Sequence, residues 1–396
     1  MASFQSMQAQ QSLAGSISVR RQSRALQRAR TLGALPIPDD VDEGGATDKR
    51  RAEALSRIVK ARRGGEAGIN LSSMGLTVLP SEVGGLPSLH TLHIQKNELV
   101  ELPATFGQLA SLQTLDVGSN RLEALPYTKP GQLGSLQRLY APNNRLMELP
   151  PTIGQLSSLQ ELYLQNNELK ALPLETGQLS SLQMLVMHSN QLKALPSTIG
   201  QLQSLQTLNM YNNKLTALPS EIGQLASLHT LVVHSNQLTV LPAEIGDLAS
   251  LHTLNVHTNQ LAVVPPEIGQ LASLQTLQFG HNQLTALPPE IGRLGSLQTL
   301  HVGSNQLHEL PAAVQQLKAL ANLFVDNNPL RVPAPKGGKL TKDPAGIAAY
   351  LSSAMPVASE DATHGQDEGT ESGDAGAPVS AQIADAAPEA TTLWTC

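Results

Sequence analysis

An asparagine recurs along this chain at a nearly fixed interval. The spacing is 23 residues from Asn97 to Asn120, stretches to 24 before Asn144, and returns to 23 through Asn167, Asn190, Asn213, Asn236, Asn259, Asn282, Asn305 and Asn328. Each asparagine stands in a version of the frame LxxLxLxxNxL, which gives eleven full units. An incomplete copy, INLSSMGL at 69–76, precedes them with Met74 in the asparagine position. No other feature constrains the fold as strongly. One unit is too short to bury its own apolar side, so successive units must stack and share a core. The extra residue before Asn144 falls in YTKPGQL, where other units read SEIGQL or PEIGQL.

Within a unit the apolar residues alternate. In LVVHSNQL, residues 231–238, Leu231 and Val233 are expected to point inward and Val232 and His234 outward, because side chains on a strand alternate between its two faces. The asparagine falls where the strand must turn, and its short amide can satisfy backbone groups that no ladder bond reaches. The eleven asparagines are therefore expected to form a buried column. The following LP step ends the turn, since proline cannot donate to a ladder. EIGxL then returns along the opposite, convex side as a short 3₁₀ or irregular segment. Glu221, Glu244, Glu267 and Glu290 align there and are read as a solvated face. Aromatic residues make up only 3% of the chain, so the shared core must be mainly aliphatic.

These units, LPxEIGxLxSLxxLxLxxNQLxxLP, resemble leucine-rich repeats across about 69–330. The variant is most similar to the intracellular Ras-group repeats of plants and animals, and several secreted bacterial type III effectors carry similar arrays. The resemblance implies an α/β solenoid: a horseshoe with a parallel β-sheet on its concave side and short 3₁₀ or irregular segments on its convex side. It also implies a non-catalytic protein-binding scaffold. The GVYW motif that plant members of the group carry after their repeats is absent here.

An array of stacked coils needs a cap at each open end. TDKRRAEALSRIVKARRGG, 47–65, predicts an N-terminal capping helix within 47–68, with Thr47 or Asp48 as N-cap, an apolar side of Leu55, Ile58 and Val59, and Gly64 as its stop. DPAGIAAYLSSA, 343–354, predicts a C-terminal capping helix within 331–354, with Asp343 as N-cap and Pro344 in the first position. Residues 1–46 are expected to be a disordered arm. Its first 38 residues hold five arginines and no acid, a composition shared by plain arms, type III secretion leaders and organellar transit peptides. Residues 355–396 hold eight acids and no Lys or Arg, too polar a segment to order alone, and end in LWTC with the only tryptophan, Trp394, and the only cysteine, Cys396.

Composition removes several classes of function. A net charge of −6 argues against a nucleic-acid binder, which needs a basic face to displace counterions. A single cysteine allows no internal disulfide and suits a reducing compartment such as the cytoplasm, of the producing cell or of a host. No apolar run reaches the roughly 18 residues that span a bilayer. No Gly-rich phosphate loop, HExxH or paired CxxC is present, and the residues after the array, whose only cysteine is Cys396, are not expected to form a catalytic-cysteine domain. No cofactor, metal or catalytic group is expected, and the chain is read as a monomer.

Recognition of a protein partner remains, on the outward positions of the concave strands. One outward column contains His93, Tyr140, Tyr163, Asn209, Asn255, Gln278 and His301, and the next contains His188, Tyr211, His234 and His257. These eleven residues are the candidate contact set. Tyrosine gives large contact area with little entropy to lose. The histidines sit on successive rungs about 4.8 Å apart. No Asp, Glu or Cys is found beside them in the central repeats, which leaves a metal short of the three protein ligands that zinc takes. The partner is expected to be a host signalling protein for a secreted effector, or a small GTPase or signalling enzyme for an endogenous scaffold.

Overall fold

The computed structural model describes residues 43–126, 132–332, 339–341 and 344–353. Residues 1–42 of the arm expected over 1–46 and the acidic tail over 355–396 lie outside the described residues, as do Asp343 and most of the YTKPGQL insertion, whereas 43–46 are helical.

The repeat becomes a solenoid. Every unit contributes a three-residue strand, from β1 (Gly68–Asn70) and β2 (Thr91–His93) through β8 (Thr230–Val232) and β9 (Thr253–Asn255) to β12 (Asn322–Phe324). The twelve strands pair in parallel in chain order, and the register advances by one repeat per strand, so Leu231 lies beside Leu254 and Leu254 beside Leu277. The degenerate leading unit takes part fully, because β1 pairs with β2. Between β3 (Thr114–Asp116) and β4 (Arg138–Tyr140) Leu115 still meets Leu139, so the sheet does not register the extra residue. The surplus is taken up on the convex side, where the described residues of this unit form no 3₁₀ turn and Leu133 adopts a left-handed φ of 56°.

Alternation decides the core. Leu231 and Val233 are fully buried, and the equivalent leucines and valines of other coils form one continuous aliphatic core. On the convex side ten short 3₁₀ segments occur among the described residues. Each begins after the proline of the LP step, whose fixed φ near −66° suits the entry, as at Pro242 ahead of Ala243–Asp247. The isoleucine of EIG is buried, and the following glycine lies against the next coil.

The asparagines form the expected buried column from Asn97 to Asn305, with Asn328 partly exposed at the end. Each ties its own coil to the preceding one. The Asn236 Oδ1 accepts the Leu215 backbone N–H at 3.0 Å, and its Nδ2 donates to the carbonyls of Met210 at 3.1 Å and Val233 at 2.9 Å. The residue just before each asparagine is left-handed, with φ of 53° at Ser235 and 51° at Thr258. That repeated turn aims the amide inward. The left-handed region is unusual for residues other than glycine and more so for a β-branched one.

Both ends carry a helix, with differences from the sequence-based expectation. The first, α1, runs Glu43–Gly64 and begins four residues earlier than predicted, so Thr47 and Asp48 are inside it rather than capping it. Its stop is as expected, with Gly65 left-handed at φ 61°. Its buried stripe is Ala54, Ile58 and Ala61, spaced by four and three residues, whereas Val59 is 37% exposed. The helical period explains this correction, since position 59 is rotated by about 100° from position 58. The Arg57 Nη1 reaches the Asn70 carbonyl at 3.2 Å and fastens the helix to β1. At the other end an unanticipated strand, β13 (Lys339–Thr341), pairs antiparallel with β12 and covers the edge that a parallel array would leave open. The second helix, α2 (Pro344–Ser353), starts on Pro344 and buries Ile347, Tyr350 and Leu351.

Candidate partner-binding surface

Each coil presents three outward positions to the concave side, two on the strand and one beyond it. The strand-final position carries His93, Tyr140, Tyr163, Asn209, Asn255, Gln278 and His301, and register pairing places Tyr140 beside Tyr163 and Gln278 between Asn255 and His301. Two residues further on stand His188, Tyr211, His234 and His257.

Several of these residues are brought into contact. The rings of His188 and Tyr211 stack at 4.1 Å with planes 9° apart, and Tyr211 and His234 continue the stack at 4.5 Å and 8°. Tyr140 and Tyr163 meet at 5.0 Å. His257 approaches His301 at 5.6 Å, edge to face, and His301 leans on Phe324 at 5.1 Å. Asn255 accepts the His257 backbone N–H at 3.1 Å and braces that coil, and Asn209 stands in the same relation to Tyr211 at 3.5 Å. His93 is not brought to the others, because β3 separates it from Tyr140.

The third outward position, first in each strand, was missed by the sequence reading. It is threonine in most coils but becomes Arg138, Glu161 and Met184 in three successive ones. These residues lock the tyrosines. Tyr140 donates its hydroxyl to Glu161 at 2.7 Å, Arg138 donates to the other Glu161 oxygen at 3.2 Å, and the Tyr163 hydroxyl lies 2.7 Å from the Met184 sulfur. Burial first and then the bond to Glu161 push the Tyr140 phenol up to about 12. Departure from threonine in an otherwise monotonous column is the signal that finds this group. The Tyr163 phenol is likewise raised, by burial and by Glu161.

The histidine row is held neutral. Burial lowers the imidazoles of His188, His234, His257 and His301 below the usual histidine range, and neighbouring imidazoles add to the effect at His188 and His257. At His301 the Asp326 carboxylate opposes the shift without reversing it. Among the described residues no three His, Cys, Asp or Glu side chains are placed to hold a metal ion together.

A pH dependence of stability follows. Below the ordinary histidine pKa of 6.5 the unfolded chain binds these protons and the folded chain resists them. Stability therefore rises with pH wherever the unfolded state holds more protons, and it is lost as pH falls from about 6.5 towards the lowered folded values. The thermal midpoint is expected to be lower at pH 5.5 than at pH 7.5. A His188→Gln/His234→Gln variant should lose less over that interval, and an equal loss in both proteins would show that the stacked pair does not contribute.

A model of the leucine-rich repeat region matches residues 131–214, 179–261, 207–283 and 267–342, and a leucine rich repeat model matches 68–122. Among solved structures, a leucine-rich repeat protein of Leptospira interrogans is 38% identical, with 72% of this chain and 81% of that one covered and a TM-score of 0.48. The plant peptide hormone receptor RGFR1, solved in complex with RGF2, is 33% identical at a TM-score of 0.60 over 66% of this chain. This chain spans 44% of the length of that receptor structure. An internalin of Listeria monocytogenes, inlF, shares the fold at a TM-score of 0.59 with 21% identity, covering 71% of this chain and 81% of that one. The search of curated proteins finds no match. Matched from residue 68 to 122 and again from 131 to 342, and built as a stack of asparagine-laddered coils, the chain belongs to the leucine-rich repeat family.

Proposed function

We propose that this chain is a non-catalytic scaffold that holds a protein partner on its concave face, with the contact centred on β4 to β9. The observation that carries the proposal is where the repeats stop being identical. Thr207, Thr230, Thr253, Thr276 and Thr299 repeat without change in the first strand position, while the large and distinctive outward side chains gather in neighbouring coils: Arg138, Tyr140, Glu161, Tyr163, Met184, His188, Tyr211 and His234. Their rings are pre-positioned by stacking and by hydrogen bonds, so little side-chain entropy is left to lose on binding. Repeat solenoids use such extended concave surfaces for recognition. The plant peptide hormone receptor RGFR1, 33% identical to this chain, was solved in complex with RGF2.

In the finer reading the chain is a bacterial type III effector whose array grips a host protein, with residues 1–38 as the export leader. The supporting feature is the acid-free composition of that segment, rich in Ser, Gln and Arg. The alternative is an endogenous signalling scaffold of the Ras-group type that binds a small GTPase or a signalling enzyme.

Affinity capture from a eukaryotic cell lysate with the full chain tests the contact surface. The control carries Tyr140→Ala, Tyr163→Ala, Tyr211→Ala and His234→Ala together. Two tyrosine anchors of about 2 kcal/mol each would reduce affinity by about a thousandfold, enough to lose a captured protein. Equal capture by both proteins, with the control still folded, would remove the concave face from the interaction and point to the convex glutamates.

A further inference from the structure

The concave surface changes character at β10 (Thr276–Gln278). There the position that holds His234 and His257 in the preceding coils is Gly280. A Cβ on Gly280 would collide with the His301 ring and come within 2.8 Å of Cδ2 of His257. The missing side chain is what lets the two rings settle over this strand. His281, left-handed at φ 52°, brings a third ring to 4.7 Å from His257, inclined by 55°. His257 and His301 are inclined by 60°. This is unlike the parallel stack of His188, Tyr211 and His234, because rings so inclined do not cover one another.

The cluster has spare hydrogen-bonding capacity. The His257 Nδ1 takes the Thr258 hydroxyl at 2.6 Å, which leaves Nε2 for another partner. The His301 Nδ1 has no partner but is buried against Gly280, so the ring meets a ligand through its other edge. The outward positions of β7 (Thr207–Asn209) through β11 (Thr299–His301) contain no acid. The charged or titratable groups that face the cluster are His234 on the preceding side and, beyond His301, Asp326 and Lys339.

We propose that His257, His281 and His301, gathered over Gly280, form a site for a carboxylate presented by an acidic side chain of the protein partner, and that the site fills as its imidazoles take up protons. The proposal rests on the concave face being the contact surface. A neutral imidazole has one N–H to offer, whereas the protonated ring has two and a charge. Charge-assisted bonds to a carboxylate are about twice as strong as neutral ones. Burial holds His257 and His301 neutral in the free chain. Proton uptake and carboxylate binding therefore reinforce each other, by the reciprocity that linkage requires. Lys339 adds to the attraction and Asp326 subtracts from it, so the imidazoles decide the balance.

The test is a histidine-resolved NMR titration of the full chain in succinate, in sulfate and in chloride at equal ionic strength. Succinate is expected to raise the midpoints of His257 and His301 by about one pH unit over chloride, a tenfold preference for the protonated cluster. His229 and His252, which face one another at 5.2 Å outside these outward columns, should move no more than in chloride. A His281→Asn variant keeps a residue that tolerates the left-handed turn and should lose at least half of the shift. The proposal is overturned if succinate acts no differently from chloride, if sulfate alone raises the midpoints, or if His229 and His252 move equally. The probes are small anions and no partner is present, so failure here leaves partner capture standing, and failed capture does not alter this titration.

Discussion

Replacing Asn236 with alanine is expected to cost about 3 kcal/mol, and replacing it with aspartate more than that at neutral pH. The arithmetic depends on which groups keep a partner. The Met210 carbonyl also receives Asn213 at 3.0 Å, the Val233 carbonyl receives Asn259 at 3.2 Å, and the His234 carbonyl receives the Asn212 backbone N–H at 3.0 Å. These three acceptors stay satisfied after truncation. The Leu215 N–H does not, because Asn236 Oδ1 is its acceptor inside the core. An orphaned buried donor costs about 1–3 kcal/mol, and the lost amide bonds and the small void add to it. Aspartate separates these contributions. It keeps an oxygen for Leu215 but turns a second one towards carbonyls that the amide met at 2.9–3.2 Å. Its loss should exceed that of alanine at pH 7 and shrink as acid protonates it. Urea unfolding followed by circular dichroism reads both effects. A loss below 1 kcal/mol for alanine would mean that the ladder is redundant, and a milder aspartate would mean that the donated bonds matter little.

The solenoid was legible because its determinants are local and repeated. Period, strand alternation and the LP step each fix a short-range choice, and eleven copies agree on it. The left-handed residue before each asparagine was not legible, since Ser119, Asn143, Thr258 and His281 share no side-chain chemistry. What they share is a backbone demand imposed by the inward amide. The helix boundary at Glu43 and the strand β13 were missed for a different reason: they answer the open ends of the array, a tertiary requirement without a periodic signature. The exposed Val59 shows the same limit, because a composition of apolar residues does not reveal which of them the first coil will cover.

The concave residues were legible as positions but not as an assembly. Period-2 alternation places Tyr140, Tyr163, Tyr211 and His234 outward, and the structure stacks or hydrogen-bonds all four. Only two of the three outward columns were read from the sequence, and the unread threonine column hid Arg138, Glu161 and Met184, which are informative because they break it. His281 was not among the candidate contact residues. The absent side chain at Gly280 brings it into the cluster, because the His257 and His301 rings lean into the room it leaves, and no periodicity argument reveals that.

The glycine of EIG is the repeat position with the least freedom to change. In Gly246→Ala the new methyl carbon would stand 2.5 Å from the Glu267 carbonyl oxygen and 2.9 Å from its Cβ, in the next coil. Both obstacles belong to backbone or lie next to it, so no side chain can swing aside. The same approach recurs between Gly200 and Glu221 and between Gly269 and Glu290. Relief would require one coil to part from the next, against the strand pairing and the asparagine ladder that hold them together on the other side. Overpacking of this kind costs about 3 kcal/mol, the upper end of the usual range. Gly295 supplies the control: a Cβ there meets nothing within 4 Å, and its φ lies outside the left-handed region. Gly295→Ala should be neutral or gain about 0.5 kcal/mol by narrowing the unfolded ensemble. The pair separates close approach from the general helix and turn preferences of glycine, because both glycines sit on the convex side of the array, two repeats apart. If Gly246→Ala unfolds at the same urea concentration as Gly295→Ala, the coils have slack on their convex side, and the curvature of the array is not set by these glycines.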